Sequence, residues 1–89
     1  MSNTADSLEQ FPCLYTFKVF GRRSDTFVDR VRQIIGDTLG LVPLEAVSVR
    51  ESSQGRYVSV TVLIRVETRD QLERVYSDLR ADEQVLLYI

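Results

Sequence analysis

The chain has 89 residues and a mass of 10.2 kDa, which suffices for one domain and is too short for two. Eleven basic and thirteen acidic residues give a net charge of −2, which argues against a broad phosphate-binding surface and so against nucleic acid as a partner. With no histidine and one cysteine, the chain lacks the commonest general base and cannot form an internal disulfide. We therefore expect no enzyme, no metal and no other cofactor.

The first ten residues are polar, carry Asp6 and Glu9, and lack the apolar core of a signal peptide. We expect a disordered tail over residues 1–10 and a single domain over residues 11–89. No stretch approaches the roughly 20 apolar residues that span a bilayer, so no membrane contact is expected. A lone Cys13 without an export signal favours the cytoplasm.

The domain opens with a strand pattern and continues with a helix pattern. Residues 14–20 alternate in β-prone residue types, with Phe17 among those of the inward face. Gly21 is expected to end this strand. Ser24 then offers an N-cap oxygen, and the apolar residues that follow recur at helical spacing, which predicts a helix over residues 24–39.

A β-hairpin is predicted next along the chain. Residues 47–50 alternate and indicate a short strand, and residues 52–55 (SSQG) are turn formers. Residues 57–66 then alternate between Val or Ile and other side chains over ten positions. This spacing predicts a long strand that pairs antiparallel with the short one.

A second helix is predicted by its capping residues. Thr68 and Gln71 match the capping box, in which the two side chains bind free backbone amides at the start of a helix. The apolar spacing that follows extends this helix to about Ala81. Asp82 and Glu83 come next and are expected to be solvated turn residues.

The closing residues 85–89 (VLLYI) are short, apolar and β-prone, and they predict a final strand with Tyr88 at an edge of the exposed sheet face. An apolar strand with few charges is an aggregation risk if its edge stays free. Pairing with a second copy would cover that edge, so we expect a homodimer.

The elements follow the order strand, helix, strand, strand, helix, strand. This order is that of the split βαβ arrangement of ferredoxin-like α+β domains. Because crossovers between strands are right-handed, both helices fall on one side of a four-stranded antiparallel sheet. The other face of the sheet is expected to be open.

Three groups of residues carry a family resemblance: Phe11, Pro12, Tyr15–Val19 and Gly21; Ser52, Ser53, Gly55, Tyr57, Ser59 and Val60; and Gln71, Leu72, Glu73, Tyr76 and Leu79. Together they resemble the YbeD-like family of small bacterial proteins of unknown function, over residues 11–89. The resemblance implies a fold similar to ACT-type regulatory domains. The family is also associated with lipoate metabolism.

The first candidate site is the turn formed by Gly21, Arg22, Arg23 and Ser24. Backbone amides at a helix N-terminus beside two guanidinium groups could hold a carboxylate or phosphate. In ACT-like domains the loop at this position binds small regulatory ligands, and the resemblance carries this over to Gly21 by position. The alternative is that Gly21 supplies a backbone conformation that the turn needs, Ser24 caps the helix and the arginines are solvated.

A second candidate is an interaction surface on the hairpin and the open sheet face, formed by Lys18, Ser52, Ser53, Gly55, Tyr57, Ser59 and Leu63. The alternative for its hairpin part is a turn in which serine side chains bond their own backbone and Gly55 is left-handed. RNA binding on the open face, in the manner of an RRM, is a third option. Residues 54–60 keep little of the RRM signature, and the net charge has the wrong sign.

Cys13 is expected to be a partly buried small hydrophobe, because no histidine is available to activate its thiol. The sequence thus predicts a non-catalytic regulatory module, an ACT-like sensor of a small anionic metabolite. The alternative is an adaptor that binds a protein partner through the open sheet face.

Overall fold

Two α-helices and four β-strands, with a short 3-10 helix at Leu44–Ala46, make up the computed structural model, which describes residues 10–89. In chain order they are β1 (Cys13–Arg22), α1 (Phe27–Leu39), β2 (Val47–Glu51), β3 (Tyr57–Val66), α2 (Arg69–Ala81) and β4 (Val85–Tyr88). The strands form one antiparallel sheet in the order β2-β3-β1-β4. The predicted ferredoxin-like fold is confirmed. The predicted tail lies outside the described residues except for Gln10, which is exposed.

The central pair of strands separates the two faces of the sheet. All ten residues of β1 pair with β3, from Cys13 opposite Val66 to Arg22 opposite Tyr57. One set of alternate side chains points toward the helices and forms the core with them: Phe17, Val19, Val58, Val60, Val62 and Val66 from these strands, and Phe27, Val31, Ile34, Ile35, Leu72, Val75 and Leu79 from the helices. The other set lies on the open face.

Gly21 lies inside β1, so the prediction that it ends the strand is wrong. It is buried, and its φ is not positive. A Cβ atom at this position would overlap Cζ of Phe27 and lie 2.7 Å from the carbonyl oxygen of Gln84. The missing side chain therefore makes room for the Phe27 ring and for the chain that enters β4, and not for a turn.

Helix α1 begins at Phe27, three residues later than predicted, and Ser24 does not cap it. The backbone N–H of Arg23 donates to the carbonyl oxygen of Arg56 at 2.9 Å, which keeps this part of the chain extended beside the hairpin. Thr26 is the N-cap residue and makes no side-chain capping bond. The helix ends at Leu39, followed by Gly40 with a φ of 91°, a conformation that favours glycine.

Helix α2 has the predicted start and end. The amide of Gln71 donates to the Thr68 hydroxyl at 3.1 Å, and the Gln71 side chain accepts from the amide of Glu67 at 2.8 Å. The first bond satisfies an amide that the first helical turn leaves free, and the second holds the residue that precedes the N-cap residue Thr68. No helix within residues 10–89 is long and apolar enough to cross a membrane.

Asp82 is not the solvated turn residue that we expected. Its side chain is 7% exposed and accepts from Nε and Nη2 of Arg30 at 2.7 and 2.6 Å. It also accepts from the amide of Gln84 at 2.9 Å. Asp82 thus fastens the turn between α2 and β4 to α1, while Glu83 is exposed as predicted.

Strand β4 carries a bulge that reverses the predicted orientation of Tyr88. Phe20 pairs with Leu87, but Gly21 pairs with Val85, so Leu86 is an extra residue. The bulge shifts the alternation by one position, and Tyr88 lies on the helix face, 5.7 Å from the Tyr76 ring. Leu87 takes its place on the open face.

Replacing Gly21 tests the close packing at the end of β1. We expect Gly21→Ala to lower the free energy of unfolding by about 1–3 kcal/mol, because the new methyl group overlaps the Phe27 ring. Gly36→Ala is the matched control: its Cβ would meet only Cγ2 of Val42, at 4.0 Å. This helical substitution should stabilise the chain by about 0.5–1 kcal/mol. Urea unfolding measures both, and equal stability of Gly21→Ala and the wild type would contradict this packing.

Candidate functional site

The two candidate segments come together at one end of the sheet. Arg22, Arg23, Ser24 and Asp25 from the loop after β1 line a depression of about 450 Å³ with Gly55 and Arg56 of the hairpin. We call these six residues the arginine rim. The hydrogen bond from the Arg23 amide to the Arg56 carbonyl joins its two halves. The sequence predicted each segment separately but not their contact.

The arginines of the rim differ in their partners. Nε of Arg23 lies 3.2 Å from a carboxylate oxygen of Glu51, and both side chains are more than half exposed. The Arg22 guanidinium lies 5.9 Å from the centre of the Tyr57 ring, within the range of a cation–π contact. Within residues 10–89, Arg56 has no ion pair. The rim therefore offers one unpaired guanidinium and two that are held by exposed partners.

Gly21 does not contribute a surface to the rim. It is buried, and the Phe27 ring fills the space beside its Cα. A ligand at the rim would therefore meet the side chains of Arg22 and Arg23 and not the backbone of Gly21. The exposed Ser24 hydroxyl lies beside them.

The hairpin contains the hydrogen bonds expected if it is a turn in which a serine side chain bonds the local backbone. The Ser52 hydroxyl accepts from the Tyr57 amide at 3.2 Å, and the Gly55 amide donates to the Ser52 carbonyl at 2.9 Å. Gly55 has a φ of 72°, which favours glycine. Ser52 and Gly55 thus shape the turn, and Ser53 is an exposed side chain at its tip.

The predicted open-face residues share one surface. Thr16 lies opposite Leu63, Lys18 opposite Thr61, and Phe20 opposite Ser59. Leu63 is 49% exposed, although it is a large apolar side chain. Lys18, Ser59, Leu63 and the exposed Tyr57 therefore lie on the same face, with Tyr57 at the end beside the hairpin turn.

Three further apolar residues of this face were missed as site residues. Leu14 is 69% exposed and follows the alternation of β1, so the sequence pattern contained its signal. Leu87 faces the same way as Phe20, and Ile89, which is 64% exposed, pairs with Lys18 through two backbone hydrogen bonds of 2.8 and 2.9 Å. These two were missed because the bulge in β4 has no clear signal in the sequence.

The strand residues on the open face carry one sign of charge. Their charged members are all basic: Lys18, Arg22, Arg50 and Arg65. Arg65 forms an ion pair of 2.8 Å with Glu67, which follows the end of β3. Within residues 10–89, the acidic residues lie on the helices, in the connections and, as Glu51, on the helix side of β2. The open face is thus a basic and apolar surface on an acidic protein.

Cys13 is half-buried at the start of β1, as predicted. Within residues 10–89, no group of three or more Cys, Asp or Glu side chains is arranged to hold a metal ion. The ion pairs within the described residues each join an arginine to a carboxylate.

Comparison with known proteins places the whole described domain in one family. The family described as "Protein of unknown function (DUF493)" matches residues 6–89. A UPF0250 protein from Shewanella piezotolerans is 41% identical over 81 residues, which are 90% of this chain and 89% of that protein. A UPF0250 protein from Pseudomonas aeruginosa is 42% identical over 77 residues, or 85% and 83% of the two chains.

A solved structure supports the fold. The solution structure of protein HP0495 from H. pylori superposes with a TM-score of 0.66 at 15% sequence identity, covering 100% of this chain and 97% of that one. At this identity the likeness concerns the fold alone.

The exposed ion pair between Arg23 and Glu51 is expected to be dispensable for folding, in contrast to the pair between Arg30 and Asp82. Glu51→Ala should change the free energy of unfolding by less than about 1 kcal/mol, because its ion pair is exposed. Asp82→Ala should cost about 1–3 kcal/mol, because it leaves Arg30 and the Gln84 amide without their acceptor. Urea unfolding measures the loss in the free energy of unfolding for each variant. A larger loss for Glu51→Ala than for Asp82→Ala would contradict the prediction.

Proposed function

The chain belongs to DUF493, a family of unknown function, and we propose that it is a non-catalytic adaptor that binds a protein partner on the open face of its sheet. The composition of that face is the observation that supports the proposal. Exposed apolar side chains lie among basic ones, and the strands place no acidic side chain there. The partner we propose is a protein surface that is both apolar and acidic.

The apolar part of this face supplies the driving force for binding. Leu63 and Leu14 lie diagonal to each other on the two central strands, and Leu87 and Ile89 lie on the β4 side, opposite Phe20 and Lys18. Removing apolar surface from water contributes about 25 cal/mol for each Å² buried. Soluble proteins seldom keep neighbouring large apolar side chains exposed on one face unless that face binds something. The apolar side chains are spread over three strands of the face, which suits another protein surface better than a small molecule.

The basic residues supply the selectivity. Lys18 is exposed near the middle of the face, and Arg50 is exposed on the outer strand. Opposite charges on a partner speed its approach and orient it, and like charges are rejected. Because the rest of the chain is acidic, this face is where an acidic partner is attracted.

RNA is the other class of anionic partner, and the aromatic residues argue against it. Sheet-based RNA binding stacks bases on exposed aromatic rings of the central strands. Here Phe20 is half-buried, and Tyr57 lies against the Arg22 guanidinium at one end of the face. The exposed centre is occupied by Leu63 and Lys18, which offer no ring on which a base could stack.

Site-specific crosslinking identifies and tests the partner. A photoreactive benzoylphenylalanine at Leu63 should trap one protein in cells that naturally express this chain, whereas the same residue at Arg80, exposed at the end of α2, should not. With that protein purified, Lys18→Glu should weaken binding by about tenfold or more, since it reverses a charge inside the interface. Arg80→Glu makes the same change in net charge and should alter affinity by less than about twofold. Calorimetry gives both affinities.

Two results would refute the adaptor. Equal weakening by Lys18→Glu and Arg80→Glu would show that only the overall charge matters. Salt-dependent binding of a single-stranded RNA, lost in Lys18→Glu, would assign the face to nucleic acid instead.

A small anionic ligand at the arginine rim is a second candidate, because Arg56 is unpaired beside Arg22 and Arg23. A carboxylate or phosphate there would gain charge-assisted hydrogen bonds from two segments of the chain. Such a ligand would link the loop before α1 to the hairpin. The resemblance to ACT-type domains, which bind regulatory ligands in the corresponding loop, points the same way.

An NMR titration tests the rim directly. Lipoate, inorganic phosphate and pooled amino acids are added to labelled protein, and saturable shifts should cluster on residues 22–24 and 55–56. Arg56→Ala should weaken the response by about tenfold, since it removes one charged donor. Arg65→Ala is the control, because it removes an exposed arginine at the other end of the sheet. No shift at millimolar concentration would eliminate the rim as a metabolite site.

A further inference from the structure

Strand β4 covers only part of the outer edge of β1. Its residues pair with β1 from Gly21 to Val19, and Ile89 pairs with Lys18. β1 continues for five more residues, from Phe17 back to Cys13, and within residues 10–89 only β3 pairs with them. The sheet therefore has a gap beside residues 13–17, which Ile89 closes at one end.

The backbone groups that face this gap follow from the strand geometry. In an antiparallel sheet, successive residues direct their N–H and C=O groups to opposite neighbours. Lys18 directs both groups to Ile89, at 2.9 and 2.8 Å. Thr16 and Leu14 share its alternation and direct their groups to the same side. Within residues 10–89, the backbone groups of Thr16 and Leu14 have no hydrogen-bond partner.

We infer that a second copy of this chain fills the gap with the same five residues, so that the two β1 strands pair antiparallel about a twofold axis at Tyr15. In this register Leu14 lies opposite Thr16 of the second copy, and Thr16 opposite its Leu14. Both are hydrogen-bonded pairs, because these residues carry the free groups. Tyr15 meets its own counterpart in the non-hydrogen-bonded position between them.

The other twofold registers leave the free backbone groups of Leu14 or Thr16 without a complete set of partners. An axis at Leu14 would place Thr16 opposite Pro12, which has no N–H to donate. An axis at Thr16 would place Leu14 opposite Lys18, whose groups already bind Ile89. Only the axis at Tyr15 satisfies the free groups of both copies.

The ends of the gap also match the length of the strand that would enter it. The second copy's strand begins at its Cys13, which would lie opposite Phe17 and next to Ile89. The chain bends at Phe11 and Pro12, so it leaves the sheet before it would meet Ile89. The gap beside residues 13–17 therefore has the same length as the five residues that the second copy inserts into it.

The side chains beside the gap suit an interface. On the helix face, the half-buried rings of Tyr15 and Tyr76 are 6.3 Å apart, and the Tyr76 hydroxyl donates to that of Tyr15 at 3.3 Å. The pairing would bring a second such cluster against the first and bury both. On the open face, Leu14 would pack beside Thr16 of the second copy.

This interface differs from the one that the sequence predicted. We expected the homodimer to form along residues 85–89, but β4 is four residues long and carries a bulge. Short, bulged edges resist pairing with another strand. The pairing at β1 leaves the open face free in each copy and joins two such faces side by side.

Proline substitution tests the pairing. Thr16→Pro removes an N–H that faces the gap and none that binds β3, so the monomer keeps its sheet bonds. Each dimer loses two hydrogen bonds, and the association constant should fall by about tenfold or more. Val49→Pro is the matched control, because the Val49 amide faces the free outer edge of β2. Sedimentation equilibrium should show a dimer for the wild type and Val49→Pro, and mainly monomer for Thr16→Pro.

A disulfide provides a test that does not depend on the proline variant folding. In a Cys13→Ala background, Tyr15→Cys places two cysteines opposite each other about 4.5 Å apart between Cα atoms, within the range of a disulfide. Mild oxidation should yield a covalent dimer for Tyr15→Cys and not for Leu63→Cys, which lies on β3. A wild type that stays monomeric at submillimolar concentration would overturn the inference. So would a dimer that Val49→Pro disrupts and Thr16→Pro does not.

Discussion

The structure depends on the register between β1 and β3. Ten consecutive residue pairs join these two strands, and Phe17 opposite Val62 and Val19 opposite Val60 mark the buried side. Because side chains alternate along a strand, a slip of one residue would move this apolar set into water and the polar set into the core. Burial of these side chains therefore determines which residues are left to form the open face.

The same strand also supplies each surface to which we assign a role. Its buried side chains pack on the helices, its alternate side chains reach the open face, and its last residue, Arg22, lies in the arginine rim. Its first five residues form the free edge. A dimer through that edge would align two open faces, so one partner with two acidic and apolar segments could bind both. Linked sites of this kind bind more tightly than either site alone.

Much of the fold could be predicted because local patterns and tertiary packing agree. The alternation in β3 and the capping side chains of α2 act within a few residues, and both were confirmed. The errors arose where a contact between residues far apart in the chain determines the local structure. The Arg23–Arg56 bond delays the start of α1, and Phe27 gives Gly21 a packing role that no local pattern reveals. The bulge at Leu86 turned Tyr88 to the opposite face.

For the candidate site, the sequence indicated the residue types but not their arrangement. The loop and the hairpin were separate candidates, about 30 residues apart in the chain, until pairing of β1 with β3 brought them together. The basic character of the open face was hidden by a net charge of the opposite sign, since charge composition does not say which face a residue occupies.

The central claim is that the open face is the surface at which this protein acts, and chemical-shift mapping tests it most directly. Methyl-labelled chain is titrated with the purified partner. The account predicts that the methyl signals of Leu63, Leu87 and Ile89 shift, while those of Leu41 and Leu44, which are exposed in the connection between α1 and β2, do not. Shifts confined to Leu41 and Leu44 would contradict the account.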